Sequence, residues 1–343
     1  MSYDASESSA LPARRRRIPN LRPHAASAAT PAAGPHAASP QSPQSPAGPE
    51  TTLAPTTPPA TPSNAGWLAN LRQRLGSAAV LIALVVSIVF CGGWIAFVGA
   101  LGFLVIGAWE MSSMLARRGW RPQMLISIAL GTDFLLAAML PEQRLLIISG
   151  GISGSVILSF TAFLLGGESF ENALRDWALT LAIPLYIGWP LALFLALRGS
   201  DFGIGTTGFW WVLAVFGMVW GNDTGAYLTG HFFGKTKLAP RISPAKTWEG
   251  FAGGMVVSII GAFVFSFALH LPWYASLTMG IFTAIASTLG DLAESMLKRG
   301  AGVKDSGQLI PGHGGLLDRL DSLLFAVMVV AAYAVVYDTF LLR

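Results

Sequence analysis

Asp318 and Asp321 lie three residues apart, so on a helix their carboxylates project from one face. Carboxylates placed in this way can hold a divalent cation through hard oxygen ligands. Between Ser295 and Asp321 the chain gathers four cations (Lys298, Arg299, Lys304, Arg319), three carboxylates (Asp305, Asp318, Asp321), His313 and six glycines. Long apolar runs flank this stretch on both sides. An unpaired charge in hydrocarbon costs several kcal/mol, so such a concentration beside apolar runs points to a function. Cations and glycine amides suit phosphates and the aspartates suit a metal, which together describe an anionic, metal-bound substrate.

Asp291, Glu294 and Ser295 extend the set upstream. Spacings of three and four put them on one helical face. They read either as functional carboxylates at the inner end of an apolar helix or as helix-end charges that pair with Lys298. Asp291, Asp318 and Asp321 can meet at one depth and, with phosphate oxygens, form a site for Mg²⁺ and not for zinc. A second cation has room beside it. The loop from Gly300 to Gly315 is glycine-rich, which alone means only flexibility. Lys304, Asp305, His313, Gly314, Gly315 and Arg319 move that reading towards anion binding. His313 reads as a general acid or base, or equally as a hydrogen-bond donor to phosphate.

A second polar constellation runs from Asn222 and Asp223 to Ser243, Lys246, Thr247 and Glu249. Ser243, Lys246 and Thr247 fit a phosphate nest at a helix start. They fit equally well a plain N-cap with lysines retained at the cytoplasmic face. Glu110 is expected near the same cavity, whereas Asp133 has no evident role.

The elements that must position these groups are apolar helices. The chain is 53% hydrophobic and 12% charged, and its mean hydropathy is +0.56. These values put it in the membrane class. Its net charge of +4 sits in short loops and does not indicate nucleic acid. A single cysteine, Cys91, excludes an internal disulfide and a cysteine metal site. Residues 1–66 are rich in Pro, Ala, Ser and Thr and read as a disordered cytoplasmic tail, leaving 67–343 as the membrane domain.

The apolar runs predict an all-α bundle with about nine spans. They fall near 76–91, 94–115, 123–140, 145–165, 177–197, 208–230, 249–270, 274–298 and 315–340. Cys91, Gly92 and Gly93 make a thin separator, and Pro184 and Pro190 should kink the fifth span. Cations crowd the loops on the tail's side, which predicts a cytoplasmic N-terminus and a cytoplasmic polar stretch.

In their order, Ser295, Lys298-Arg299, Lys304-Asp305, His313-Gly314-Gly315 and Asp318-Arg319-Leu320-Asp321 resemble the signature of the CDP-diacylglycerol synthases (phosphatidate cytidylyltransferases). The run from Asn222 to Tyr227 is similar to that family's sixth-span motif. Residues 243–250 are similar to its Ser-Pro-Lys-Lys-Thr-x-Glu-Gly block, with Ala245 replacing the first lysine. The resemblance spans roughly residues 76–340 and leaves out the tail. It implies a Mg²⁺-dependent membrane transferase acting on CTP and phosphatidic acid, with homodimeric assembly and a bacterial inner membrane as the expected setting. Asp291, Asp318 and Asp321 are the implied metal ligands and, with Lys298 and Arg299, the catalytic set. Asp223, Ser243, Lys246, Thr247, Glu249, Ser295, Lys304, Asp305, His313, Gly314, Gly315 and Arg319 are the implied substrate contacts. Another CTP-using lipid enzyme, such as a polyprenol or phytol kinase or an ether-lipid synthase, would use similar residues. An ion-coupled transporter would instead place its charges near the midplane and show an internal repeat.

Overall fold

The computed structural model describes residues 83–167, 169–199, 206–307, 309 and 314–336. All lie in the compact unit Thr61–Arg343. The tail, the start of the expected 76–91 span and His313 fall outside the described residues.

The described chain is mostly helical. It begins with α1 (helical over 83–91), then α2 (Gly93–Ala116), α3 (Met124–Met139), α4 (Arg144–Leu165) and α5 (Phe170–Ile183). A π turn over Pro184–Gly188 leads into α6 (Trp189–Arg198), followed by α7 (Thr207–Phe233), α8 (Trp248–Leu269), α9 (Trp273–Ala301) and α10 (Leu317–Val336). Among the described residues six segments are long and apolar enough to cross a membrane: α2, the turn and helix from Pro141 to Leu165, the continuous run Phe170–Arg198, α8, α9 and α10. Such a set of apolar helices is that of an integral membrane protein. The expected spans over α3 and α7 are helices, but α3 is short and α7 falls below the apolarity of the six.

Local chemistry explains the joints. Gly92 and Gly93 take φ of 63° and 49°, a conformation that β-carbon-bearing residues rarely adopt, so α1 and α2 separate at the glycine pair. Pro184 lacks the amide an α-helix needs, and the chain widens to a π turn between α5 and α6. Arg198 is 1% exposed, and its guanidinium donates to the Val89 carbonyl and, at 2.9 Å, to that of Phe90. A cation on the end carbonyls of α1 complements that helix's dipole, so its place is set by structure and not by loop charge.

One departure from an all-helical chain is a small antiparallel hairpin, β1 (Lys237–Ala239) with β2 (Ser243–Thr247), pairing Lys237 with Thr247 and Ala239 with Ser243. It lies in the loop expected to be a helix start. Thr247 is the true N-cap, its hydroxyl accepting from the Gly250 amide at 3.1 Å.

The helices that carry the polar residues pack through small side chains. A methyl group on Gly254 of α8 would come 2.7 Å from the Asn222 carbonyl of α7. A methyl on Gly290 of α9 would collide with the Asp321 carbonyl of α10. Without these glycines the backbones could not approach so closely, and the aspartates beside them would stand further apart.

Candidate active site

Helices α7, α8, α9 and α10 enclose a cavity of about 660 Å³. Its lining includes Asp223 from α7, Lys246 and Thr247 from β2, Asp291 from α9, and Asp318, Arg319 and Asp321 from α10. Seven of the residues singled out in the sequence therefore converge on one space from four separate segments.

Its acids face ammonium groups. Lys246 Nζ lies 2.7 Å from Asp291 Oδ2, and Ser295 Oγ donates to the same carboxylate at 3.2 Å. Lys298 Nζ lies 2.7 Å from Asp318 Oδ1 and 3.0 Å from Glu294 Oε2, so one ammonium serves two carboxylates. Glu294 is wholly buried. Asp321 accepts from the Ser322 amide at 2.6 Å. Asp223, Asp291 and Asp321 bring three carboxylates to the wall of one cavity. Like charges drawn together in a partly desolvated space favour a bound cation. Among the described residues no three acids or histidines are yet close enough to form a metal cluster. The three metal candidates thus share a cavity, with lysines in contact with two of them.

Asp318 is held from behind. It accepts from the Ser306 amide at 3.1 Å and from the Gly315 amide at 2.9 Å. The first turn of α10 is a favourable place for an acid, because the helix dipole is positive there. Gly314 adopts φ 87° directly behind this carboxylate. In this arrangement Gly315 offers its amide to Asp318 and not to the cavity.

Other expected contacts sit elsewhere. Arg299 donates to the Val303 carbonyl at 3.3 Å, beside the Gly302 turn that ends α9. Lys304 and Asp305 line a second cavity of about 420 Å³, with Trp109, Glu110, Arg117 and Ser306. Glu249 accepts from the amides of Lys235 and Thr236 at 3.1–3.2 Å, which ties the hairpin's entry to α8. Ser243 starts β2 opposite Ala239. Ser243, Glu249, Ser295, Lys298, Arg299, Gly314 and Gly315 are not part of the larger cavity's wall, although Lys298 reaches Asp318 from behind it.

That wall also carries Tyr227 and His231, absent from the sequence-based set, with rings stacked at 6.1 Å and 14°. Their signal was available: Asp223, Tyr227 and His231 recur every four residues, one face of α7. Asn222 also lines the cavity, and its side-chain amide donates to Ser287 Oγ of α9 at 3.3 Å.

A cavity lined by carboxylates, a lysine and an arginine, with a second lysine paired to one of the carboxylates, suits a polyanion with its counter-cation. Comparison with known proteins agrees. The model of the cytidylyltransferase family matches residues 72–337. The phosphatidate cytidylyltransferase of Haemophilus influenzae is 35% identical over 281 residues, which cover 75% of this chain and 96% of that protein. That of Bacillus subtilis is 34% identical over 274 residues, covering 76% and 96%. That of Synechocystis sp. is 33% identical over 294 residues, covering 77% and 96%. With residues 72–337 matched by the family model and relatives of 33–35% identity aligned over three quarters of its length, this chain belongs to the cytidylyltransferase family.

Proposed function

We propose that this chain transfers the cytidylyl group of CTP to phosphatidic acid, and that the α7–α10 cavity is where it does so. The observation that carries the reading is the convergence of Asp223, Lys246, Asp291, Asp318, Arg319 and Asp321 on one space in a chain of this family. A phosphate oxygen of the lipid attacks the α-phosphorus of CTP. The new oxygen–phosphorus bond forms as the bond to the β-phosphate oxygen breaks, and pyrophosphate leaves. The acceptor phosphate is already ionised near neutral pH, so no base is needed for its attack. What the protein supplies is alignment and charge neutralisation. Lys246, Lys298 and Arg319 are the cations for the phosphates.

Asp291, Asp318 and Asp321 are all hard oxygen donors on the wall of one cavity, a donor set that would suit Mg²⁺, with a second cation as the further expectation. When bound, that ion neutralises phosphate charge and polarises the α-phosphoryl group. The lysine contacts of Asp291 and Asp318 support the same view, since each carboxylate already faces positive charge. Tyr227 and His231 stand as the stacked pair nearest to a place for the base.

The wider setting belongs to the same proposal. About nine membrane crossings, a cytoplasmic N-terminus and a cavity open to the cytoplasm are the expected topology, in which α1, α3 and α7 would cross in addition to the six longer apolar segments. A bacterial inner membrane and a homodimer complete it. CTP then arrives from water while the acyl chains stay in lipid.

The test is product analysis with purified protein in detergent. CTP and phosphatidic acid together should yield pyrophosphate and CDP-diacylglycerol in equal amounts, with no pyrophosphate when the lipid is omitted. Formation of CDP and a phosphorylated lipid would replace the reading with a CTP-dependent kinase.

A further inference from the structure

Glu110 lies on α2, outside the larger cavity, and is only 1% exposed. A buried carboxylate needs compensation, yet among the described residues no lysine or arginine forms an ion pair with it. Its partners are backbone amides. The Leu316 amide donates to Oε1 at 2.9 Å, the Leu317 amide to Oε2 at 2.8 Å, and the Ser306 hydroxyl to Oε2 at 3.4 Å. Leu316 and Leu317 open α10, where free amides have no partner inside the helix. Neither has a side chain that can cap it. Glu110 therefore caps α10 from a helix some two hundred residues earlier in the chain.

The same carboxylate also fixes the loop that holds Asp318. Ser306 gives its hydroxyl to Glu110 and its amide to Asp318. A methyl on Gly307 would come 2.7 Å from Glu110 Oε1, and one on Gly315 would come 2.8 Å from Oε2. The loop thus closes tightly around Glu110 on two sides. On the reading of the cavity given above, Asp318 and Asp321 follow the amides that Glu110 binds within about a turn and a half of helix.

We propose that Glu110 is a positioning residue for the transfer reaction: by capping α10 and pinning Ser306, it sets the register at which Asp318 and Asp321 meet the metal and phosphates. Glu110 touches no substrate in this account. Glutamine at this position keeps one acceptor oxygen and turns an amino group towards a backbone donor, so one bond is lost and two donors face each other.

Asp176 provides the control. It is equally buried and likewise accepts from a backbone amide, that of Arg121 at 2.9 Å, but it lies in neither cavity. Glu110→Gln, Glu110→Asp, Gly307→Ala and Asp176→Asn are to be compared with the parent chain. The readouts are amide exchange over residues 314–321 in metal-free protein, turnover number, and the Mg²⁺ concentration for half-maximal rate.

Glu110→Gln should speed exchange across the first turn of α10, because protection there depends on the local cap. It should also lower turnover about tenfold or more and raise the Mg²⁺ requirement, since small misplacements of catalytic groups are costly. Glu110→Asp should recover part of both, and Gly307→Ala should reproduce the effect more weakly. Asp176→Asn should reduce thermal stability yet leave the Mg²⁺ requirement unchanged. If Glu110→Gln keeps parental exchange, turnover and Mg²⁺ requirement, the proposal fails. It also fails if Asp176→Asn shifts the Mg²⁺ requirement as much. Should Glu110→Gln not fold, parental behaviour of Gly307→Ala overturns the proposal on its own. Failure of the cavity reading itself is distinguishable, since Asp321→Asn would then be active whatever Glu110 does.

Discussion

The two cavities have no lining residue in common, though the Ser306 amide of the smaller donates to Asp318 of the larger, and they differ in what satisfies their acids. In the larger, Asp291 and Asp318 face lysine ammonium groups at 2.7 Å. In the smaller, Glu110 faces the end amides of α10. An ammonium on a flexible stem can move to a phosphate when one arrives, and a metal can take its place. A backbone amide at a helix start cannot leave. The difference separates groups available for chemistry from groups that hold the frame, although Asp318 and Glu110 are both carboxylates bonded to Ser306. Glu249, bound to the amides of Lys235 and Thr236, belongs with the second kind.

The contrast is broken most sharply at Asp321. Asp321→Asn should lower transfer by about a hundredfold or more while the protein stays folded, as expected for a group acting on developing charge. Near-normal turnover at modest Mg²⁺ would erase the distinction. Next comes Lys298, which bridges Glu294 and Asp318. Lys298→Ala should reduce kcat more than Lys304→Ala does, because Lys304 lines the smaller cavity. Steady-state kinetics with both substrates checks the order of the two.

Lys246→Ala should raise the apparent KM for CTP about tenfold, the value of one charge-assisted contact, and the KM for phosphatidic acid less. Ala245→Lys in the same variant should recover part of the loss, since a lysine's reach is forgiving. Unchanged CTP kinetics would make the hairpin a frame element like Glu249. For Glu249→Gln the expected result is lower thermal stability with kcat and both KM values near parental. Smallest of all is deletion of residues 2–60. Their composition carries no candidate ligand, so specific activity should stay within about threefold.

Much of this arrangement was legible in the residues. Hydropathy located the helices, and the glycine pair at 92–93 and Pro184 marked joints the structure displays. Three-residue and four-residue spacings put Asp318 with Asp321 and Asp291 with Ser295 on shared faces. What spacing cannot show is which partner a charge finds across helices. Lys246 with Asp291 joins a strand to a helix, and Glu110 with Leu316 joins α2 to α10, so neither has a local signal. The β-hairpin was hidden for a related reason. Ser243 to Thr247 looked like a helix start because Thr247 does cap α8, but the residues before it pair with β1 instead of continuing the helix. Tyr227 and His231 were readable from their spacing with Asp223, and aromatic rings in an apolar helix are easily taken for lipid-facing surface.

The central claim is that the triphosphate binds in the α7–α10 cavity and displaces lysines from their carboxylates. Amine labelling of purified protein, with and without Mg²⁺ and CTP, tests it directly by reading the reactivity of each lysine. The account predicts that nucleotide changes the labelling of Lys246 and Lys298 together while leaving Lys304 as it was. Protection confined to Lys304, with Lys246 and Lys298 unaffected, would place the nucleotide in the smaller cavity and contradict it.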